Sequence, residues 1–207
     1  MDRSRLEAFS DGVFAVAITL LALNLVVAGP GHGVSLARQL GSHWPAFVAY
    51  VISFFTIGII WVNHHGLLRS VKSVDRTLLF LNLVLLLFVV LIPFATATMA
   101  DYRLTNDQNG RMAMVLYGVV FLGMSVGFGA IFEWTLHGEH VYRPVPAEQH
   151  WAARLRFAGG AGVYVVCVVI ALFNAYVAFT LMGLVAVYYI FERTPRFPGS
   201  GDDGPAG

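Results

Sequence analysis

Six long apolar runs decide what this chain can fold into. They fall at about 6–28, 44–68, 77–100, 111–134, 155–173 and 175–191. A helix of about 20 apolar residues crosses the hydrocarbon core, and runs slightly shorter or longer also span it. In that medium only a helix or a closed barrel satisfies its own backbone. The expectation is therefore an all-α membrane protein with six transmembrane helices. Composition agrees, since only 12% of residues are charged and mean hydropathy is +0.71, against about a quarter charged in a soluble domain. The polar connections leave no room for a sizeable soluble domain.

The run boundaries carry their own signals. Gly29-Pro30-Gly31 ends the first run, because two glycines around a proline stop a helix. The stretch from there to Ser42 reads as a short loop. Pro45 stands in the first turn of the second run, where its missing N–H costs nothing, and Trp44 suits the interface. Pro93 should kink the third run, with a threonine hydroxyl, from Thr96 or Thr98, taking up freed backbone bonding. Gly123 and Gly127 form a GxxxG pair in the fourth run, which allows close helix approach. Thr135 to Arg154 is the longest internal loop. Runs five and six meet near Asn174 and make a tight hairpin. The tail at 194–207 is rich in Pro, Gly and Asp and is expected to be disordered.

Basic residues set the orientation. Ten of the 13 Lys and Arg lie at the amino terminus, in the 69–76 and 135–156 connections and in the tail; Arg38, Arg103 and Arg111 lie on the other side. The positive-inside rule then places both termini in the cytoplasm, consistent with six spans. A net charge of +1 gives no reason to expect nucleic-acid binding. The single Cys167, within an apolar run, reads as a packing residue. No cleavable signal peptide is evident, since the first run is too long and lacks a small-residue cleavage site.

With this orientation, polar residues from three runs meet at one depth near the inner surface. Ser10 and Asp11 come from the first run, Trp61, Asn63, His64 and His65 from the second, and Asn82 from the third. Trp61 and His65 are four apart and share a helix face. The reading is a structural hydrogen-bond network of Arg5, Ser10, Asp11, Trp61, His65 and Asn82, in which Arg5 neutralises Asp11. Proton transfer or metal binding is the competing reading of the same cluster. No metal or cofactor is expected: His64 and His65 are adjacent and point to different faces, and His137, His140 and His150 lack cysteine partners or ligand spacing.

Val16, Leu20, Leu23 and Val27 recur at four, three and four along the first run, flanked by Thr19. Spacing alone reads this stripe as core or lipid contact. If identical subunits surround an axis, it becomes stacked aliphatic rings. Such a constriction gates by dewetting, with a threonine layer beside it able to touch an ion.

Arg5-x-x-x-Phe9-Ser10-Asp11, followed by AVAITLLALNL, resembles the signature of the endosomal/lysosomal potassium channel family (transmembrane protein 175) in its single-repeat prokaryotic form. WVNHH at 61–65 and LLFLNLVLLLFVVLIPFATA in the third run extend the resemblance; runs four to six match it by hydropathy and length. The resemblance implies a homotetramer whose first helix lines a central pore, with no re-entrant loop. The TVGYG filter absent from that family is absent here. It places the constriction at Val16, Leu20 and Leu23 and the threonine layer at Thr19. Val16 is smaller than the Leu or Ile usual at the first ring, so that ring would be wider. Prokaryotic members of the family are expected to prefer potassium over sodium only modestly.

On this resemblance, residues 1–193 form one six-helix channel domain in a prokaryotic cell membrane. The expected function is a potassium-permeable cation channel, not an enzyme, whose partners are other copies of itself, the bilayer and monovalent cations. A proton-coupled secondary transporter using Asp11 and His65 is the alternative.

Overall fold

The computed structural model describes residues 2–25, 35–102, 104–136, 141–142 and 147–191. Seven helices appear among them: α1 (Arg3–Leu23), α2 (Leu36–Ser42), α3 (Trp44–Ser70), α4 (Arg76–Asp101), α5 (Gln108–Thr135), α6 (Ala147–Ala171) and α7 (Ala175–Phe191). By length and composition, α1, α3, α4 and α5 can each cross a membrane; the apolar stretches Gly159–Ala171 and Ala175–Ile190 are shorter.

The elements differ from the sequence reading at three places. α1 ends at Leu23 with Asn24 as its C-cap, earlier than the expected 28. The segment before Ser42, read as loop, holds the short α2, whose side chains are mostly exposed. α6 starts at Ala147, inside the stretch read as the longest loop; AEQHWAAR holds good helix formers and no proline, and hydropathy does not register a polar helical turn. The Gly29-Pro30-Gly31 stop, Val27, His137, His140 and the tail lie outside the described residues.

Local chemistry sets the starts of two helices. Asp75 caps α4, its Oδ1 accepting from Leu78 N at 2.7 Å. Asp107 caps α5, its Oδ1 accepting from Gly110 N at 2.7 Å. Each satisfies one of the donors a helix start leaves orphaned. Asp75 also accepts from Trp134 Nε1 at 3.4 Å, tying the start of α4 to the end of α5. Asn174 links α6 to α7, and Asn106 Oδ1 accepts from Ala175 N at 2.9 Å, fastening that hairpin to the α4–α5 turn.

α4 and α5 pack together along their length, with α1 and α3 against α4, α6 against α5, and α7 against α6, α3 and α5. Tyr117, Phe14, Phe121, Leu85 and Ile92 are among the largest fully buried side chains. Gly127 explains how closely α5 approaches α4: a Cβ there would stand 3.0 Å from Leu85 Cα. At Gly123 a Cβ would run into the Phe88 ring. The GxxxG pair thus forms the α4–α5 seam. A second polar cluster ties α3, α4 and α5 deeper in this core. Ser53 Oγ lies 2.8 Å from Thr96 Oγ1 and 2.9 Å from the Tyr117 hydroxyl. Thr96 donates its one proton to the Ile92 carbonyl. The order is then fixed: Tyr117 donates to Ser53, and Ser53 donates to Thr96. All three hydroxyls are satisfied without water.

Candidate functional site

The two faces of α1 have different fates. Leu6, Ser10, Phe14, Ala17 and Leu21 are buried against the other helices. Val16, Leu20 and Leu23 are 55%, 37% and 71% exposed, and Thr19 is also exposed. The stripe read from the spacing therefore lies on a face that this chain leaves uncovered. Thr19 Oγ1 donates to the Val16 carbonyl at 2.9 Å. Its proton is committed within the helix, so its lone pairs are what the hydroxyl presents outward.

A compact polar cluster anchors the amino-terminal half of this helix. Asn82 Nδ2 donates to Ser10 Oγ at 3.0 Å, and Asn82 Oδ1 lies 2.7 Å from His64 Nε2. A carboxamide oxygen only accepts, so His64 carries its proton on Nε2. Ser10, His64 and Asn82 are all fully buried or nearly so, and one side chain from each of α1, α3 and α4 takes part. The Phe14 ring packs against His64 with centroids 5.4 Å apart and closes the apolar side. On the flank, Trp61 Nε1 donates to Asp11 Oδ1 at 2.8 Å. A carboxylate is costly in hydrocarbon unless partnered, and the indole is a well-placed partner at the edge of the cluster.

Two residues sit differently from the sequence reading. The histidine bonded to Asn82 is His64. His65 stacks on Trp61 instead, ring centroids 6.1 Å apart, with its Nδ1 buried and without a partner. The i, i+4 relation found the Trp61–His65 contact, but consecutive residues point about 100° apart, and the buried side of α3 holds Ser53, Ile57, His64 and Leu67, of which Ser53 and His64 bond to α4. Arg5, expected to neutralise Asp11, is exposed, and among the described residues no ion pair joins the two. Six helical residues separate them by about 9 Å of rise and about 120° of rotation. Arg3 makes the tie at this end, donating to the carbonyls of Arg69 at 3.2 Å and Val71 at 3.4 Å beyond the α1–α3 packing. Arg154 pairs with Glu133 through its Nε at 2.9 Å and through its terminal nitrogen, joining α5 to α6. Among the described residues no three His, Cys, Asp or Glu side chains are grouped to hold a metal ion.

A multi-pass α-helical membrane protein, with its first helix tethered by a buried polar cluster and bare on another face, is the class that fold and site define. A family model described as endosomal/lysosomal potassium channel TMEM175 matches residues 5–93, the span that holds the whole cluster and the exposed stripe. A potassium channel of Streptomyces collinus is 42% identical over 198 residues, covering 94% of each chain. The chain belongs to the TMEM175 potassium channel family, as a prokaryotic member. The crystal structure of a lysosomal potassium-selective channel TMEM175 homolog from Chamaesiphon minutus superposes with a TM-score of 0.79 at 31% identity, covering 91% of this chain and 96% of that one. The mouse endosomal/lysosomal proton channel TMEM175 is 35% identical over 159 residues, which are 70% of this chain and 30% of the mouse protein.

Proposed function

We propose that this protein is a potassium-permeable cation channel in a prokaryotic cell membrane, formed by four copies of the chain around a central axis. Each copy contributes six spans, with both termini in the cytoplasm. The first helices line the axis. Val16, Leu20 and Leu23 make a hydrophobic constriction in place of a TVGYG filter, and Thr19 supplies an oxygen layer between them. One observation carries this reading: α1 is held by polar side chains on one face while its aliphatic stripe stands uncovered on another. A helix fixed this firmly in rotation presents the same side chains in every copy, as stacked rings require. Thr19 adds to the case, since a hydroxyl whose proton is spent on its own helix offers only lone pairs to a cation.

The cluster of Ser10, His64 and Asn82, with Asp11 and Trp61 beside it, serves on this reading as the anchor. Asp11 is occupied by the Trp61 indole, which fits an anchor better than a proton carrier. Flux of potassium and sodium into liposomes holding the purified protein tests the proposal. Leu20→Ala and Leu23→Ala are expected to raise potassium flux while native mass still reports a tetramer. Unchanged flux in both variants of an intact tetramer refutes the constriction, and a functional monomer refutes the axis. The mouse relative is named a proton channel, so a pH-sensitive dye inside the same liposomes scores proton permeation alongside.

A further inference from the structure

The outer end of α1 has a tie of its own. Asn24, the C-cap of the helix, donates from Nδ2 to the Pro93 carbonyl of α4 at 3.2 Å. Asn24 is half-buried and Pro93 buried. The bond lies 14 residues beyond Ser10, about 21 Å along the helix, so α1 is fastened to α4 by polar side chains at both ends. Leu23, next to Asn24, is the most exposed member of the aliphatic stripe, at 71%.

The choice of acceptor matters. Pro93 has no N–H, so the Val89 carbonyl one turn earlier has no intrahelical donor, and α4 is most able to bend there. Asn24 therefore grips α4 at its compliant point. An amide near hydrocarbon has few other partners, which favours keeping this bond. Inward of Asn24, the last turn of α1 is held by Leu21, the final buried residue of the helix.

We propose that Asn24 is the positioning residue of the outer constriction: its bond to Pro93 holds the last turn of α1, and with it Leu23, at a set distance from α4. A bend of α4 at Pro93 then moves Leu23, and loss of the bond lets the Leu23 ring widen. This rests on the pore reading above. The test is potassium and sodium flux from the full-length protein in liposomes. Asn24→Leu, which removes the donor at similar size, is expected to raise basal potassium flux about threefold, the population change that one intramembrane hydrogen bond supports. Discrimination against sodium falls with it. Asn24→Gln, which keeps the amide, restores most of both. Pro93→Ala returns a backbone donor to Val89 and stiffens α4; it too is expected to change flux, and less than additively with Asn24→Leu. If Asn24→Leu does not assemble, Pro93→Ala and Asn24→Gln carry the test. Parent-like flux and selectivity in Asn24→Leu or Pro93→Ala, or strictly additive effects of the two, overturn the proposal. Leu23→Ala, run in parallel, separates the two ideas. If it alters flux and Asn24→Leu does not, the latch is wrong and the pore stands; if neither does, the latch is wrong, and the pore reading fails with it when Leu20→Ala is also without effect.

Discussion

Replacing Asn82 with Leu removes the hub of the polar cluster that holds α1. Three contacts go: the 2.7 Å contact with His64 Nε2, the 3.0 Å bond from Asn82 Nδ2 to Ser10 Oγ and the longer 3.4 Å bond that Ser10 Oγ donates to Asn82 Oδ1. Both partners are buried, at 1% and 0% exposure, and the Phe14 ring closes over His64, so water has no ready access to either. A buried group left unpaired costs about 1–3 kcal/mol in soluble proteins. Intramembrane hydrogen bonds average only about 0.6 kcal/mol, because the unfolded chain in lipid also finds partners. Two orphaned groups in this closed site place the expected loss between those limits, at about 2–4 kcal/mol in total. For a chain of this length each kcal/mol moves the midpoint by about 2–4 °C, so the apparent melting temperature should fall by about 4–16 °C. Intrinsic fluorescence of the protein in detergent reads that shift, followed by size-exclusion chromatography to check the oligomer. The double variant His64→Leu/Asn82→Leu replaces both ends of one bond with apolar groups and should recover part of the loss, since orphaning a partner costs more than removing a pair. A midpoint drop below about 2 °C for Asn82→Leu, or a double variant that costs the sum of the singles, would refute the account of the cluster as a coupled anchor.

The α4–α5 seam gives a steric prediction. Gly127→Ala puts a methyl 3.0 Å from Leu85 Cα, against backbone that cannot swing aside, and should cost about 1–3 kcal/mol in thermal stability, with Gly127→Leu worse. Gly129→Ala, where nothing lies within 4 Å, is the neutral control, and equal melting points for the two alanine variants would contradict the packing. The α5 cap gives a pH prediction outside the membrane. The Gly110 N–H, and after it the Thr105 hydroxyl, hold the Asp107 carboxyl below its ordinary value. A depressed folded pKa means that the cap's contribution is fully present above the ordinary carboxylate value and is lost as pH falls through the lowered one. Amide exchange at 108–111, corrected for intrinsic rates, should stay protected through mildly acidic pH and lose that protection only below the ordinary carboxylate range, and Asp107→Asn should flatten the dependence. Protection lost already near neutral pH would show that the cap is not what orders this turn.

Much of this protein was legible in its sequence because a bilayer leaves few choices. Apolar length and the obligation of the backbone to satisfy itself made the helices, and Pro45 marked the first turn of α3. Spacing of 16, 20 and 23 predicted one face of α1, and the depth argument brought Ser10, Asp11, Trp61 and Asn82 to one level. Rotation about each helix axis was beyond it. Hydropathy is blind to which face meets a neighbour, so only packing could decide that His64 rather than His65 turns to Asn82, or that Arg5 stays outside while Arg3 reaches the end of α3. Contacts between helices distant in sequence were equally hidden. Ser53, Thr96 and Tyr117 look like scattered hydroxyls along three apolar runs until the helices bring them within 2.9 Å. Asn24 looks like a stray polar residue until α4 places the Pro93 carbonyl beside it. Local pattern determines that helices form; relative rotation and the pairing of lone polar groups are set by side-chain packing, which no single segment contains.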